Sequence, residues 1–199
     1  MNIATARIGD RFTDSVTLIT PALAAALKAE GFDGVSQYLG GGVTAQSVQA
    51  ITNAGLGFLP VTFADRFDGE QTVAECHALG LPDGVTVFLD VEGIGPSITA
   101  AQLMMKIADW AHPVADANYI PSMYVGWKAL LTSAELYALP VYRYWKAFSR
   151  ILDRNGQPAE PACGWSVIQS PTTTRAGVQV DIDFVTGDYR SRFPVLAVA

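Results

Sequence analysis

Two carboxylates close an apolar run in Val85-Thr-Val-Phe-Leu-Asp-Val-Glu-Gly93. Side chains alternate across a strand, so Val85, Val87, Leu89 and Val91 share one face while Thr86, Phe88, Asp90 and Glu92 share the other. The aliphatic face suits burial under helices. The second face turns acidic only at its C-terminal end, before the turn signal Gly93-Ile-Gly-Pro96. In α/β proteins that end of a strand is where active sites lie. Two residues of strand set Asp90 and Glu92 about 7 Å apart, a useful range for two carboxyl groups acting as acid and partner on a glycosidic bond.

A second run repeats the logic. In Val178-Gln-Val-Asp-Ile-Asp-Phe184, Val178, Val180, Ile182 and Phe184 alternate with Gln179, Asp181 and Asp183. Asp10, directly after Gly9, ends the first predicted strand and adds another acid to the same rim. Carboxylates packed together repel, which predicts at least one raised pKa and a proton held near neutrality. A protonated carboxyl beside ionised ones is what general acid catalysis through an oxocarbenium-like transition state requires. Clustered carboxylates also suit Mg²⁺ or Ca²⁺. No phosphate-binding loop or calcium loop accompanies them, so neither metal nor cofactor is expected.

Other chemistries find less support. His77 sits mid-helix beside Cys76, and His112 precedes Pro113 at a helix end, so neither belongs to a strand terminus. Adjacent helical residues point in different directions, which excludes zinc ligation by Cys76 and His77. No Gly-X-Ser-X-Gly elbow is present. Tyr38, Tyr124, Trp145 and Trp165 fall in predicted strands, where a carbohydrate site would recruit stacking surfaces and where core packing is the competing use.

The elements that must position these residues follow a regular punctuation. Strands are predicted at 4–10, 34–39, 57–63, 85–92 and 122–126, and helices at 20–30, 44–53, 69–79, 99–117 and 133–139. Thr20 or Ser15, and Thr44, are expected helix caps, and Gly31, Gly55 and Gly80 the stops. This is five β-α units in succession. After Pro140 three strands follow at 142–148, 165–169 and 178–184, with no room for long helices between them. Eight strands are enough to close a barrel. The expected fold is a single α/β domain over residues 1–199, a TIM-type barrel of modified (βα)5β3 form with its helices outside.

Composition narrows the partners. The chain has 199 residues, half of them hydrophobic, with a net charge of −6. It carries no basic stripe, so nucleic acid is not an expected partner. No apolar run approaches the roughly 20 residues of a membrane helix, and the N-terminus shows no secretory signal. Synthesis in a cytoplasm and a monomeric state are expected. Cys76 and Cys163 are the only cysteines, which excludes a disulfide framework.

Taken in order, the motifs resemble a known group. Gly9-Asp10, Gly31-Phe32, Gln37-Tyr38, Ala54-Gly-Leu56, Phe88-Leu-Asp-Val-Glu92, Tyr124-Val-Gly126, Trp145-Lys-Ala147, Ile168-Gln169 and Val180-Asp-Ile-Asp183 span nearly the whole chain. The sequence is similar to the glycoside hydrolase-like domain known as domain of unknown function 1906, and through it to the glycoside hydrolase family 25 lysozymes. The resemblance implies cleavage of the β-1,4 bond between N-acetylmuramic acid and N-acetylglucosamine in peptidoglycan or a related polysaccharide. It implies Glu92 as general acid, Asp90 and Asp181 as partner carboxylates and Asp10 as the first-strand acid. Tyr38, Tyr124, Trp145, Gln169 and Asp183 are the expected substrate contacts. Without a signal peptide, such an enzyme would reach the wall by phage-type or other non-classical release. A catalytically inactive glycan-binding barrel of the same fold is the alternative.

Overall fold

A computed structural model of the chain describes residues 1–65, 67–95 and 97–199. Eight strands close into a ring: β2 (Arg11–Asp14), β3 (Gly34–Tyr38), β4 (Gly57–Phe63), β5 (Thr86–Val91), β6 (Ile120–Val125), β7 (Tyr144–Lys146), β8 (Val167–Gln169) and β10 (Val178–Val185). Strands β2 to β8 run parallel, and β10 closes the ring antiparallel to both β8 and β2. Helices α1 (Pro21–Ala29), α2 (Ala45–Asn53), α3 (Gly69–Ala78), α4 (Ala100–Asp116) and α5 (Ser133–Ala138) follow the first five barrel strands. The (βα)5β3 barrel expected from the punctuation is therefore the architecture observed. Three short strands lie outside the expectation. β1 (Asn2–Thr5) pairs with β11 (Val195–Val198) beside the base of β4, and β9 (Thr173–Arg175) forms a hairpin with β10.

The alternation in β5 has the consequence its residues dictate. Val87, Leu89 and Val91 are buried on the outer face beneath helices, while Phe88 and Asp90 point into the barrel. Each helix starts at a polar cap that accepts a backbone N–H of its own first turn: Thr20, Thr44, Asp68, Thr99 and Thr132. Such a cap contributes about 1 kcal/mol and here fixes where each loop at the mouth of the barrel ends. Helices α3 and α4 approach closely because Gly69 has no side chain. A Cβ there would stand 2.3 Å from the Trp110 carbonyl oxygen, and the Trp110 indole N–H donates to Thr72 Oγ1 at 3.1 Å. Cys76 and Cys163 are both buried and free.

The first strand is displaced from its expected place. Residues 4–10 are not one strand. Gly9 has a φ of +90°, and the Asp10 carboxylate accepts the Arg7 backbone N–H at 2.7 Å, closing a tight turn. The barrel strand begins only after it, at Arg11.

Candidate active site

The parallel strands all deliver their C-terminal ends to one mouth. On β5, Asp90 faces inward and Glu92 stands just past the strand, exposed at the rim. Tyr38 at the end of β3 donates its hydroxyl to Asp90 Oδ2 at 3.0 Å, and its ring stacks on Phe63 with centroids 4.1 Å apart. Tyr124 on β6 lies opposite Asp90 in register. Its hydroxyl is 3.1 Å from Glu92 Oε1 and 2.9 Å from Gln169 Oε1, so its single hydrogen serves one of these acceptors at a time. Gln169 in turn donates from Nε2 to Asp181 Oδ2 at 3.1 Å. The Thr172 hydroxyl bonds the other Asp181 oxygen. One connected network thus joins Glu92, Tyr124, Gln169 and Asp181.

The structure substitutes Asp14 for Asp10. Asp14 ends β2, is almost fully buried, and pairs directly across the sheet with Asp181, which puts their Cα atoms about 5 Å apart. Asp10 lies four residues earlier, roughly 13 Å back along the chain, at the base of the barrel where its carbonyl accepts the Val185 N–H. It has no part in the mouth. The signal for Asp14 was in the sequence: Phe12 and Asp14 alternate with Thr13, and the polar loop and cap of α1 follow at once. An acid at a strand end before a β-α loop is the one the barrel uses.

Two expected substrate contacts are corrected as well. Trp145 is on β7 level with Tyr124, but it is only 1% exposed. Its ring fills the interior, edge-on to Phe88 and Tyr124. Asp183 is completely buried, accepting the Trp145 indole N–H on Oδ1 at 3.1 Å. Neither side chain reaches a ligand at the mouth. Trp165 is likewise buried, packed edge-on against Tyr144. Aromatic surface at the rim comes instead from Phe63, Trp127 and Phe148, each more than a third exposed and each at or just beyond the end of its strand.

Crowding sets the protonation of this cluster. Burial, and then the fields of Asp181, Asp90 and Glu92, push the Asp14 carboxyl up to about 8. Burial and Glu92 raise Asp90 to about 7, opposed by the Tyr38 hydrogen bond. Burial, Asp14 and Asp181 hold Asp183 well above the carboxylate range. Burial and the neighbouring carboxylates raise Tyr38 and Tyr124 too, so both hydroxyls stay protonated and donate. Among the described residues, Oδ1 of Asp90 and Oδ2 of Asp183 are buried without a hydrogen-bond partner, a placement far less costly for a neutral acid than for a carboxylate. The arrangement can hold protons beneath an exposed Glu92. Among the described residues, no group of three or more His, Cys, Asp or Glu side chains is arranged to hold a metal ion.

The fold and site define a mixed eight-stranded α/β barrel with a carboxylate-lined mouth. No family profile matches this sequence, and no curated protein does. Among solved structures, the chain is similar to an uncharacterized B. stearothermophilus protein, with a TM-score of 0.67 and 21% identity over 89% of this chain and 96% of that one. At that identity the likeness shows the barrel fold alone. Tryptophan synthase from M. tuberculosis, in its aminoacrylate-bound form, is similar with a TM-score of 0.42 and 15% identity over 68% of this chain and 63% of that one. That likeness carries no argument about function.

Proposed function

We propose that this barrel is a glycoside hydrolase acting on peptidoglycan glycan strands by carboxylate chemistry, as the lysozyme-like resemblance of its motifs implies. The observation that carries the proposal is the meeting of Asp14, Asp90, Glu92 and Asp181, from three strands, at the C-terminal mouth of one barrel. Glu92 is the exposed member and is assigned the proton delivered to the glycosidic oxygen. Tyr124 orients it through the contact at Oε1. Asp181, fixed by Gln169 and Thr172, and Asp14 opposite it face the sugar ring that gains positive charge. Phe63, Trp127 and Phe148 supply apolar faces on which pyranose rings stack. The reading carries with it a wall-located substrate.

The test is a digest of purified peptidoglycan, with soluble products analysed by mass spectrometry for wild type and Glu92→Gln. Muramic-acid reducing ends from wild type, reduced about 100-fold or more in Glu92→Gln, support the assignment. Equal release by both proteins overturns it. The exposed aromatic rim would serve a glycan-binding barrel equally well. That second reading predicts intact strands in both digests and co-sedimentation of both proteins with the wall.

A further inference from the structure

The barrel mouth is not the only space that Glu92 borders. Outward from it runs a groove of about 750 Å³, bounded by Ala64, Asp65 and Phe67 after β4, by the Gly93–Gly95 turn, and by one face of α4. We infer that this groove receives the sugars on the leaving side of the bond that Glu92 protonates, an inference that rests on the glycosidase reading.

Direction comes from the distribution of charge about Glu92. The buried acids Asp14 and Asp90 and the fixed Asp181 lie on the mouth side, where Tyr124 holds Glu92 Oε1. The ring that develops positive charge belongs on that side, facing Asp181. A general acid stands at the glycosidic oxygen, between that ring and the leaving sugar. The leaving sugar therefore continues past Glu92 on its other side, which is the groove.

The walls suit such an occupant. Gln102, Met105, Lys106 and Asp109 recur at intervals of three and four residues and so lie along one face of α4. From Gln102 to Asp109 that face extends about 10 Å, room for a disaccharide. Met105 is 64% exposed, and Phe67 lies beneath the Lys106 ammonium, 5.4 Å from its ring centroid. Apolar surface edged by amide, ammonium and carboxylate groups matches an N-acetylated sugar, whose ring faces and acetyl methyl are apolar and whose hydroxyls and amide are polar. On the opposite wall, a Cβ built on Gly93 or Gly95 would meet no atom of the described residues within 4 Å. Bare backbone is thus open to a ligand on that side. A neighbouring cavity of about 620 Å³ across the same turn is lined largely by aliphatic side chains and includes none of the site carboxylates.

The experiment uses the full chain carrying Glu92→Gln, so that ligand is held uncleaved, with ¹³C-methyl methionine and ¹⁵N labels. It is titrated with a tetrasaccharide of alternating N-acetylglucosamine and N-acetylmuramic acid. The Met105 methyl resonance shifts saturably along with the Tyr38 and Phe63 amides, while the Met1 methyl does not move. Adding Met105→Ala or Lys106→Ala weakens binding about threefold to tenfold. Saturation at Tyr38 and Phe63 with Met105 unmoved overturns the groove assignment, as does a protein that shows no shifts at all. Shifts at Met105 with no cleavage by wild type keep the groove as a glycan site and overturn the hydrolase reading instead.

Discussion

Replacing Asp14 with Asn makes a stability measurement into a test of the site's electrostatics. The Asp14 carboxyl titrates near 3.8 when freely solvated and at about 8 in the barrel. Below the lower value both folded and unfolded chains hold the proton, and Asp14 costs nothing. As pH rises through the window, the unfolded chain releases the proton and the folded one keeps it, so stability falls with pH. At about pH 7 the chain has crossed roughly 3 units of that window at about 1.4 kcal/mol each, an upper bound on the order of 4 kcal/mol. Relaxation of the neighbouring acids reduces it, and a gain of about 2 kcal/mol is expected for Asp14→Asn. For a chain of this length that corresponds to a Tm rise of roughly 4–8 °C. Thermal unfolding followed by circular dichroism, at about pH 7 and about pH 3.5, reads the effect. Asp14→Asn should be the more stable protein at the first pH and equal to wild type at the second, with hydrolysis lost at both. Destabilisation near neutrality, or the same gain at both pH values, would refute the raised proton affinity and the crowding that explains it.

Three further substitutions, at Asp183 and Gly126, probe the layers around Glu92. Asp183→Asn keeps an oxygen for the Trp145 indole and replaces a neutral acid with a neutral amide, so its melting temperature at about pH 7 should equal or exceed that of wild type. Asp183→Ala strands that indole N–H in the interior and should lose about 1–3 kcal/mol or more in the same thermal scan. In Gly126→Ala, the new Cβ would lie 2.5 Å from Glu92 Cγ and 2.7 Å from its Oε1, forcing the side chain out of its place beside Tyr124. Melting should change by no more than about 1 kcal/mol, while peptidoglycan release falls about 10- to 100-fold. Unchanged release would separate Glu92 from the chemistry.

The residues explain which parts of this molecule could be read in advance. Val87, Leu89 and Val91 against Phe88 and Asp90 show a period of two strong enough to fix strand, face and polarity together. The five helices fall within a residue of their expected bounds, with Thr20 and Thr44 the caps legible in advance and Asp68, Thr99 and Thr132 those the structure adds. The four-residue β2 carries only Phe12 and Asp14 on its inner face, too short a pattern to outweigh the longer apolar stretch before it, and so Asp10 took the place of Asp14. Depth within the barrel was harder still. Period two turns both Asp181 and Asp183 inward, but only the direction of β10 decides which reaches the mouth. Because β10 runs against its neighbours, the earlier acid is the outer one, the reverse of β5, where Glu92 lies outside Asp90. Strand direction is a property of the closed ring and is not written in the local pattern. Trp145 was misplaced for a related reason, since an inward aromatic can be either a platform or a filler, and the space left by Phe88 and Tyr124 made it a filler.

The closing strand also bears on when the molecule acquires its chemistry. Ser15 and Gln179 are 164 residues apart in the chain and joined by a hydrogen bond, and Asp14 meets Asp181 in the same pairing. Contacts so distant in sequence form late, after the local β-α units have assembled, because loop closure must precede the reward for making them. Until β10 docks, Asp14 lacks Asp181, whose field adds to burial in raising its proton affinity. The Asp14 environment is completed only at ring closure. A nascent or frayed chain would carry every β5 residue of the site without the Asp14–Asp181 pair, so completing the fold is also the step that assembles the acid cluster.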